Sequence, residues 1–282
     1  MARRFRHVED GMIKYIQAAL LMSMLSLAPS IAVADPLDDA KAAFARRDDA
    51  TAVKLFRLLA QQGNATAQLY LGVMYIGGAG VAKNEKEGAK WFRLSAAQGN
   101  ADAQCNLGLM YVSGQGVPTD LKQAAKWYGL AADQGNARAQ FSLGAMYLNG
   151  FGMAKDEAKA VLLLRLSAGQ NNPQAQNLLG DIYNKGQGVT TDYQQAAKWY
   201  RLAAQQGNTD AQVNLGFKYE FGNGVEQDNV RALMWFSMAG ETTSKLAAYS
   251  IAEIEADMTP EEIAQAKAMA ARCKVSGYKD CE

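Results

Sequence analysis

The chain is 282 residues long, with 29 Lys and Arg against 28 Asp and Glu, a net charge of +1 and a single histidine, His7. That balance excludes the signature of a nucleic-acid binder, which needs a surplus of cations to neutralise phosphates. A 49% hydrophobic share with 20% charged residues supports a sizeable core and excludes a disordered polymer; length alone suggests about two domains.

Residues 1–34 read as a secretory signal. Arg3, Arg4, Arg6 and Lys14 precede an apolar stretch from Ile16 to Leu27, and Ala32-Val33-Ala34 stands before Asp35, so the expected cut is Ala34/Asp35. Met12, just before Lys14 and the apolar stretch, is an alternative translation start. The apolar stretch is short against the ~20 residues of a membrane span, so no transmembrane anchor is expected after cleavage. No Cys lies near the cut to carry a lipid. Cleavage removes four basic residues and two acidic ones, Glu9 and Asp10, and turns the net charge from +1 to −1. It also removes His7. A chain without histidine cannot build Ser-His-Asp or Cys-His nucleophile activation, nor a zinc site that uses imidazole.

Beyond the leader, from Asn64, a 36-residue repeat takes over. Leu71-Gly72, Leu107-Gly108, Leu143-Gly144, Leu179-Gly180 and Leu215-Gly216 recur in phase without insertion. Ala-Gln runs four residues earlier, from Ala67-Gln68 to Ala211-Gln212, and Tyr75, Tyr111, Tyr147, Tyr183 and Tyr219 form a third column. Asn64, Asn100, Asn136, Asn172 and Asn208 are placed to cap a first helix, A. The residue before each is Gly, or Asn171 in one repeat, as a left-handed helix stop requires. Paired glycines end helix A, and Asn84, Asp120, Asp156, Asp192 and Asp228 then cap a second helix, B. Each unit is therefore a helical hairpin.

Helix B carries every tryptophan. Trp91, Trp127, Trp199 and Trp235 share one column with Leu163, and Phe92, Tyr128, Leu164, Tyr200 and Phe236 follow. An aromatic stripe at a single repeat position reads as inter-helix packing rather than a cofactor box. The Leu-Gly glycine sits mid-helix, where it costs about 1 kcal/mol against Ala, so it is expected to mark a close approach under that aromatic. On helix A the recurring Ala67, Gln68, Leu71, Gly72 and Tyr75 share one arc at about 100° per residue. Positions equivalent to 66, 70 and 73 point away from it, and they vary from repeat to repeat. After the last repeat, Thr259-Pro260-Glu261-Glu262 reads as a capping box opening a helix to about Arg272.

The pattern A-x-x-W-Y-x-x-A-A-x-Q-G-N-x-x-A-Q-x-x-L-G-x-x-Y-x-x-G-x-G-V-x-x-D, seen well around Trp127, Tyr128, Ala131, Ala132, Gln134, Gly135, Asn136, Leu143, Gly144 and Tyr147, resembles the Sel1-like repeat, a relative of the tetratricopeptide repeat. The resemblance covers residues 64 to about 243, with Leu55-Phe56 where a preceding helix B would carry its Trp pair. It implies an all-α fold, a right-handed, curved α-solenoid with helix A lining the concave side and capping helices at both ends. The implied layout is 35–63 as N-terminal capping helices, repeats at 64–99, 100–135, 136–171, 172–207 and 208–243, and 244–282 as C-terminal capping helices with a cysteine-containing tail. Solenoids need such caps to cover the apolar faces of the end repeats.

Cys273 and Cys281 are separated by seven intervening residues in the tail, and in an oxidising compartment they are expected to form a disulfide. Cys105 stands in a column with Leu69, Phe141, Asn177 and Val213 and reads as a small buried hydrophobe. The cysteine-rich Helicobacter branch of the family, linked to β-lactam binding or hydrolysis, carries a Cys pair in each repeat; no repeat has one here. Carboxylate pairs such as Asp38-Asp39 and Glu261-Glu262 stand in helix first turns, where electrostatics explain them. No catalytic residue, metal ligand or cofactor is assigned. The expected function is a non-catalytic scaffold of the cell envelope, periplasmic or secreted, binding a protein or peptide partner on the concave helix-A face, with an envelope glycan as a further candidate. The candidate contact residues are Tyr70, Asn106, Leu109, Arg138, Asn214 and Phe217. The alternatives are a β-lactam or peptidoglycan-fragment hydrolase and, by resemblance to periplasmic regulators in the family, an inhibitory subunit of a sensor kinase.

Overall fold

The computed structural model describes residues 35–240, 245–278 and 280–281; the expected leader, with its cut at Ala34/Asp35, lies outside them. The described residues form 14 α-helices and no strand, and the chain divides into two compact units, 1–55 and 56–282. In the first, α1 (Pro36–Ala45) is capped by Asp35, whose carboxylate accepts from Leu37 N at 2.9 Å, with Pro36 in the first turn. Arg47 takes the left-handed conformation that ends the turn after α1, and Asp48 caps α2 (Asp49–Gln61) by accepting from Thr51 N.

The second unit is a row of hairpins. Helix A of each repeat is α3 (Ala65–Gly77), α5 (Ala101–Ser113), α7 (Ala137–Asn149), α9 (Pro173–Lys185) and α11 (Thr209–Phe221). Helix B is α4 (Glu85–Ala97), α6 (Leu121–Asp133), α8 (Glu157–Gly169), α10 (Tyr193–Ala204) and α12 (Asn229–Ala239). Each packs on its neighbours in sequence. All five Asn caps of helix A accept the backbone N–H three residues on at 2.9–3.1 Å. The Asx caps of helix B do the same over the same range. Asn171, where the other repeats have glycine, holds a φ of 61° as the cap pattern requires.

The mid-helix glycine and the loop glycine serve two different close approaches. A Cβ on Gly72 would stand 2.6 Å from the Phe92 ring, and one on Gly108 2.8 Å from Tyr128. The second residue of the Trp-aromatic pair, not the tryptophan, is thus what the glycine admits. In the loop, Gly116 has a φ of 68° and lies against the Glu85 carbonyl of the preceding helix B, so both its handedness and its bare Cα are used.

The array ends on α13 (Lys245–Ala256) and α14 (Pro260–Val275), the latter opened by a complete capping box between Thr259 and Glu262 and running one turn past the expected Arg272. Ala266, Ala270 and Cys273 of α14 close over the same core as Trp235 and Phe236, and Lys274 Nζ donates to the Ser237 carbonyl at 3.2 Å. Cys273 and Cys281 are joined by a disulfide that ties the tail to α14. Cys105 is buried, and that burial pushes its thiol upward, the behaviour of a core residue.

Candidate binding site

Helix A has two sides with different duties. In every repeat the Ala, Gln, Leu and Gly of its inner arc are buried. The glutamine would be costly there unless both ends of its amide were satisfied, and they are. Gln68, Gln104, Gln140, Gln176 and Gln212 each donate Nε2 to a carbonyl of the preceding helix, at 3.1–3.3 Å. The first four accept at Oε1 from Gln98, Gln134, Gln170 and Gln206 of the following turn, at 2.6–2.8 Å. This glutamine ladder crosses every repeat boundary and leaves the inner side nothing to offer a ligand.

The outer side carries the six candidate residues, and they fall into three places. Tyr70 is half-buried, its ring stacked on Phe56 with centroids 4.8 Å apart. Asn106, Leu109 and Arg138 form a second group, in which Arg138 donates to Asn106 Oδ1 at 3.3 Å beside an exposed Leu109. Asn214 and Phe217 form the third. Asn214 Nδ2 donates to Asn177 Oδ1 at 3.2 Å, and Phe217 lies parallel to Phe221 and edge-on to Phe236. Positions of the 70 column are half-buried in every repeat.

Around the third group lies a cleft of about 300 Å³, lined in part by Asn184, Tyr193, Asn214, Phe217, Lys218 and Asn223. Lys218 is its least ordinary member. It is only 6% exposed, and its position in helix A is filled by Met74, Met110, Met146 and Ile182 in the other repeats. Its ammonium donates to Asn184 Oδ1 and stands 4.7 Å from the centre of the Tyr193 ring. Burial holds it below its ordinary value, and among the described residues no carboxylate offsets that cost. At the back of the cleft the Tyr200 hydroxyl donates to Asp181 at 2.7 Å, and its burial raises the phenol further. The outer-column reasoning found Asn214 and Phe217 but missed Lys218, Asn184 and Tyr193. The available signal was a lysine breaking an otherwise apolar repeat column.

Helical hairpins in register, linked by a polar ladder and closed by a terminal helix, define an α-solenoid repeat protein. Its family follows from six matches to the Sel1 repeat, at 42–64, 65–100, 101–136, 137–172, 173–208 and 209–241, and the chain belongs to the Sel1 repeat family. Among solved structures it is similar to a Sel1 repeat protein from Oxalobacter formigenes, at 29% identity over 84% of this chain and 97% of that one, with a TM-score of 0.75. A protective antigen of uropathogenic Escherichia coli with an SLR fold matches at 28% identity over 81% and 64% of the two chains (TM-score 0.43). An immunity protein from Pseudomonas aeruginosa matches at 19% over 78% and 83% (TM-score 0.46). No curated protein matches the chain. Sel1 repeat proteins are typically protein-interaction scaffolds and are generally non-catalytic. No helix among the described residues is long and apolar enough to cross a membrane.

Proposed function

We propose that the chain is a non-catalytic scaffold of the bacterial cell envelope that binds a protein or peptide on the outer face of its helices A. One observation carries this reading. The columns that stack the repeats recur in phase with few departures, while the outer columns change from repeat to repeat and gather exposed apolar groups such as Leu109 and Phe221 beside polar ones. A face that stacking does not need, and that nonetheless concentrates polar and aromatic groups, is the one free to recognise a partner. The basic leader and the Ala32-Val33-Ala34 segment support export, and a tail disulfide suits an oxidising compartment.

The test is capture of a partner from an envelope extract by the purified protein and by a variant with alanine at Asn106, Arg138, Asn214 and Phe217. Loss of the partner with unchanged circular dichroism is expected; retention overturns the site. Amino-terminal sequencing of protein from the periplasmic fraction is expected to begin at Asp35. Turnover of nitrocefin by the purified protein would overturn the non-catalytic assignment.

A further inference from the structure

We infer that the cleft between the fourth and fifth repeats is a carboxylate pocket, made to receive an acidic group of a peptide ligand that lies beside an apolar or aromatic body. The inference rests on the scaffold reading and names the chemistry of its ligand.

Lys218 is the starting point. A buried ammonium without a counter-ion is costly, and a methionine at the same position serves three of the other repeats. The neighbours have changed with it. Asn184, which accepts from Lys218, occupies the column of Ile76, Val112 and Leu148; Tyr193, under the ammonium, occupies that of Glu85, Leu121 and Glu157. A glutamate at 193 would have put a carboxylate near this lysine. The tyrosine withholds it, so the charge is held by an amide and a ring face while its balancing anion is left to come from outside.

The rest of the cleft suits such a visitor. Asn223 supplies a side-chain amide at the cleft, and the volume of about 300 Å³ sits at the small end of ligand pockets. Phe217 and Phe221 lie parallel at the rim, with centroids 6.1 Å apart and Phe221 62% exposed, a surface for an apolar body. Lys218 offers one positive charge to a visiting carboxylate, and with the Asp181 carboxylate behind Tyr200 and Asn214 a phosphate, carrying nearly two negative charges, is disfavoured.

The experiment measures binding of N-acetyl-L-phenylalanine, its uncharged amide and inorganic phosphate to the purified protein by NMR titration at fixed ionic strength. The acid is expected to bind about fivefold or more tightly than the amide, as one charge-assisted contact requires. Lys218→Met, which restores the column residue and is checked by circular dichroism, is expected to erase that preference. Equal binding of acid and amide, a preference that survives Lys218→Met, tighter binding of phosphate, or no binding of either aromatic probe overturns the pocket. If the pocket falls while the four-alanine variant still loses its partner, the scaffold reading stands and only the ligand chemistry is wrong.

Discussion

The third and fifth repeats share their frame and differ in what they do with it. Asn136 and Asn208, Gln140 and Gln212, Leu143 and Leu215, Gly144 and Gly216, and Tyr147 and Tyr219 are the same residues in the same roles. Between them, Ser142 becomes Asn214, Ala145 becomes Phe217, Met146 becomes Lys218 and Asn149 becomes Phe221. The third repeat spends the Met146 position on core burial, at 5% exposure; the fifth places a cation there at almost the same exposure. The same backbone thus tolerates opposite chemistry at one site. What makes that possible lies in the neighbouring helices, since Val112 and Leu121 stand where Asn184 and Tyr193 surround Lys218.

The most forceful way to break the comparison is to move the lysine. Met146→Lys puts an ammonium among Val112 and Leu121 with no acceptor, and a loss of about 3–5 kcal/mol is expected in urea unfolding. Adding Val112→Asn and Leu121→Tyr is expected to recover part of it. No recovery would mean that the amide and the ring do not hold the charge at Lys218.

A second difference lies under the aromatic column. Gly216 meets the flat ring of Phe236, whereas Gly144 meets the branched end of Leu164, 2.9 Å from where a Cβ would stand. Leucine can shift rotamer more cheaply than a ring wedged in the core. Gly216→Ala is expected to cost about 2 kcal/mol, and Gly144→Ala less than half of that once the gain in helix propensity is counted. Equal losses would show that the ring is not the rigid partner.

This frame was largely legible in the sequence because each of its parts is local or repeats every 36 residues. Caps, left-handed stops and the Leu-Gly column announce themselves by residue type, and Thr259 to Glu262 marks the last helix on its own. The glutamine ladder was visible as a column but not as a bond, since its partner lies 30 residues on, at the far end of helix B. The cleft was harder still. Lys218 meets Asn184 across a 34-residue separation and Tyr193 on another helix, so its meaning depends on two neighbours that both lie in the preceding repeat. Tyr70 shows the converse: an outer position by periodicity, it is half-covered because Phe56 of the preceding helix reaches it.

Removing the cation should help the fold while harming the pocket. Lys218→Met is expected to stabilise the protein by about 1–2 kcal/mol at neutral pH. Burial sets the folded-state value of Lys218 below the ordinary 10.5, so between that lowered value and about pH 10.4 the unfolded chain binds more protons and wild-type stability rises with pH. The advantage of the methionine is therefore greatest in neutral solution and shrinks as the pH approaches 10. An advantage independent of pH would assign it to packing alone.

The smallest expected effect concerns what the third repeat lacks. Arg57, Arg165 and Arg201 each donate to the tyrosine hydroxyl 18 residues on, at Tyr75, Tyr183 and Tyr219. The residue at that spacing from Tyr147 is Gly129, in the interior of α6, where an added Cβ would meet nothing within 4 Å. Gly129→Ala is expected to stabilise by about 0.5–1 kcal/mol through helix propensity alone. Gly129→Arg should add a few tenths more, because an exposed hydrogen bond to Tyr147 is worth little. Thermal unfolding of the two variants, compared with Gly129→Arg in a Tyr147→Phe background, separates propensity from the bond. If the arginine gains nothing over alanine, the Arg-Tyr column is ornament on a frame that the glycines and glutamines already hold.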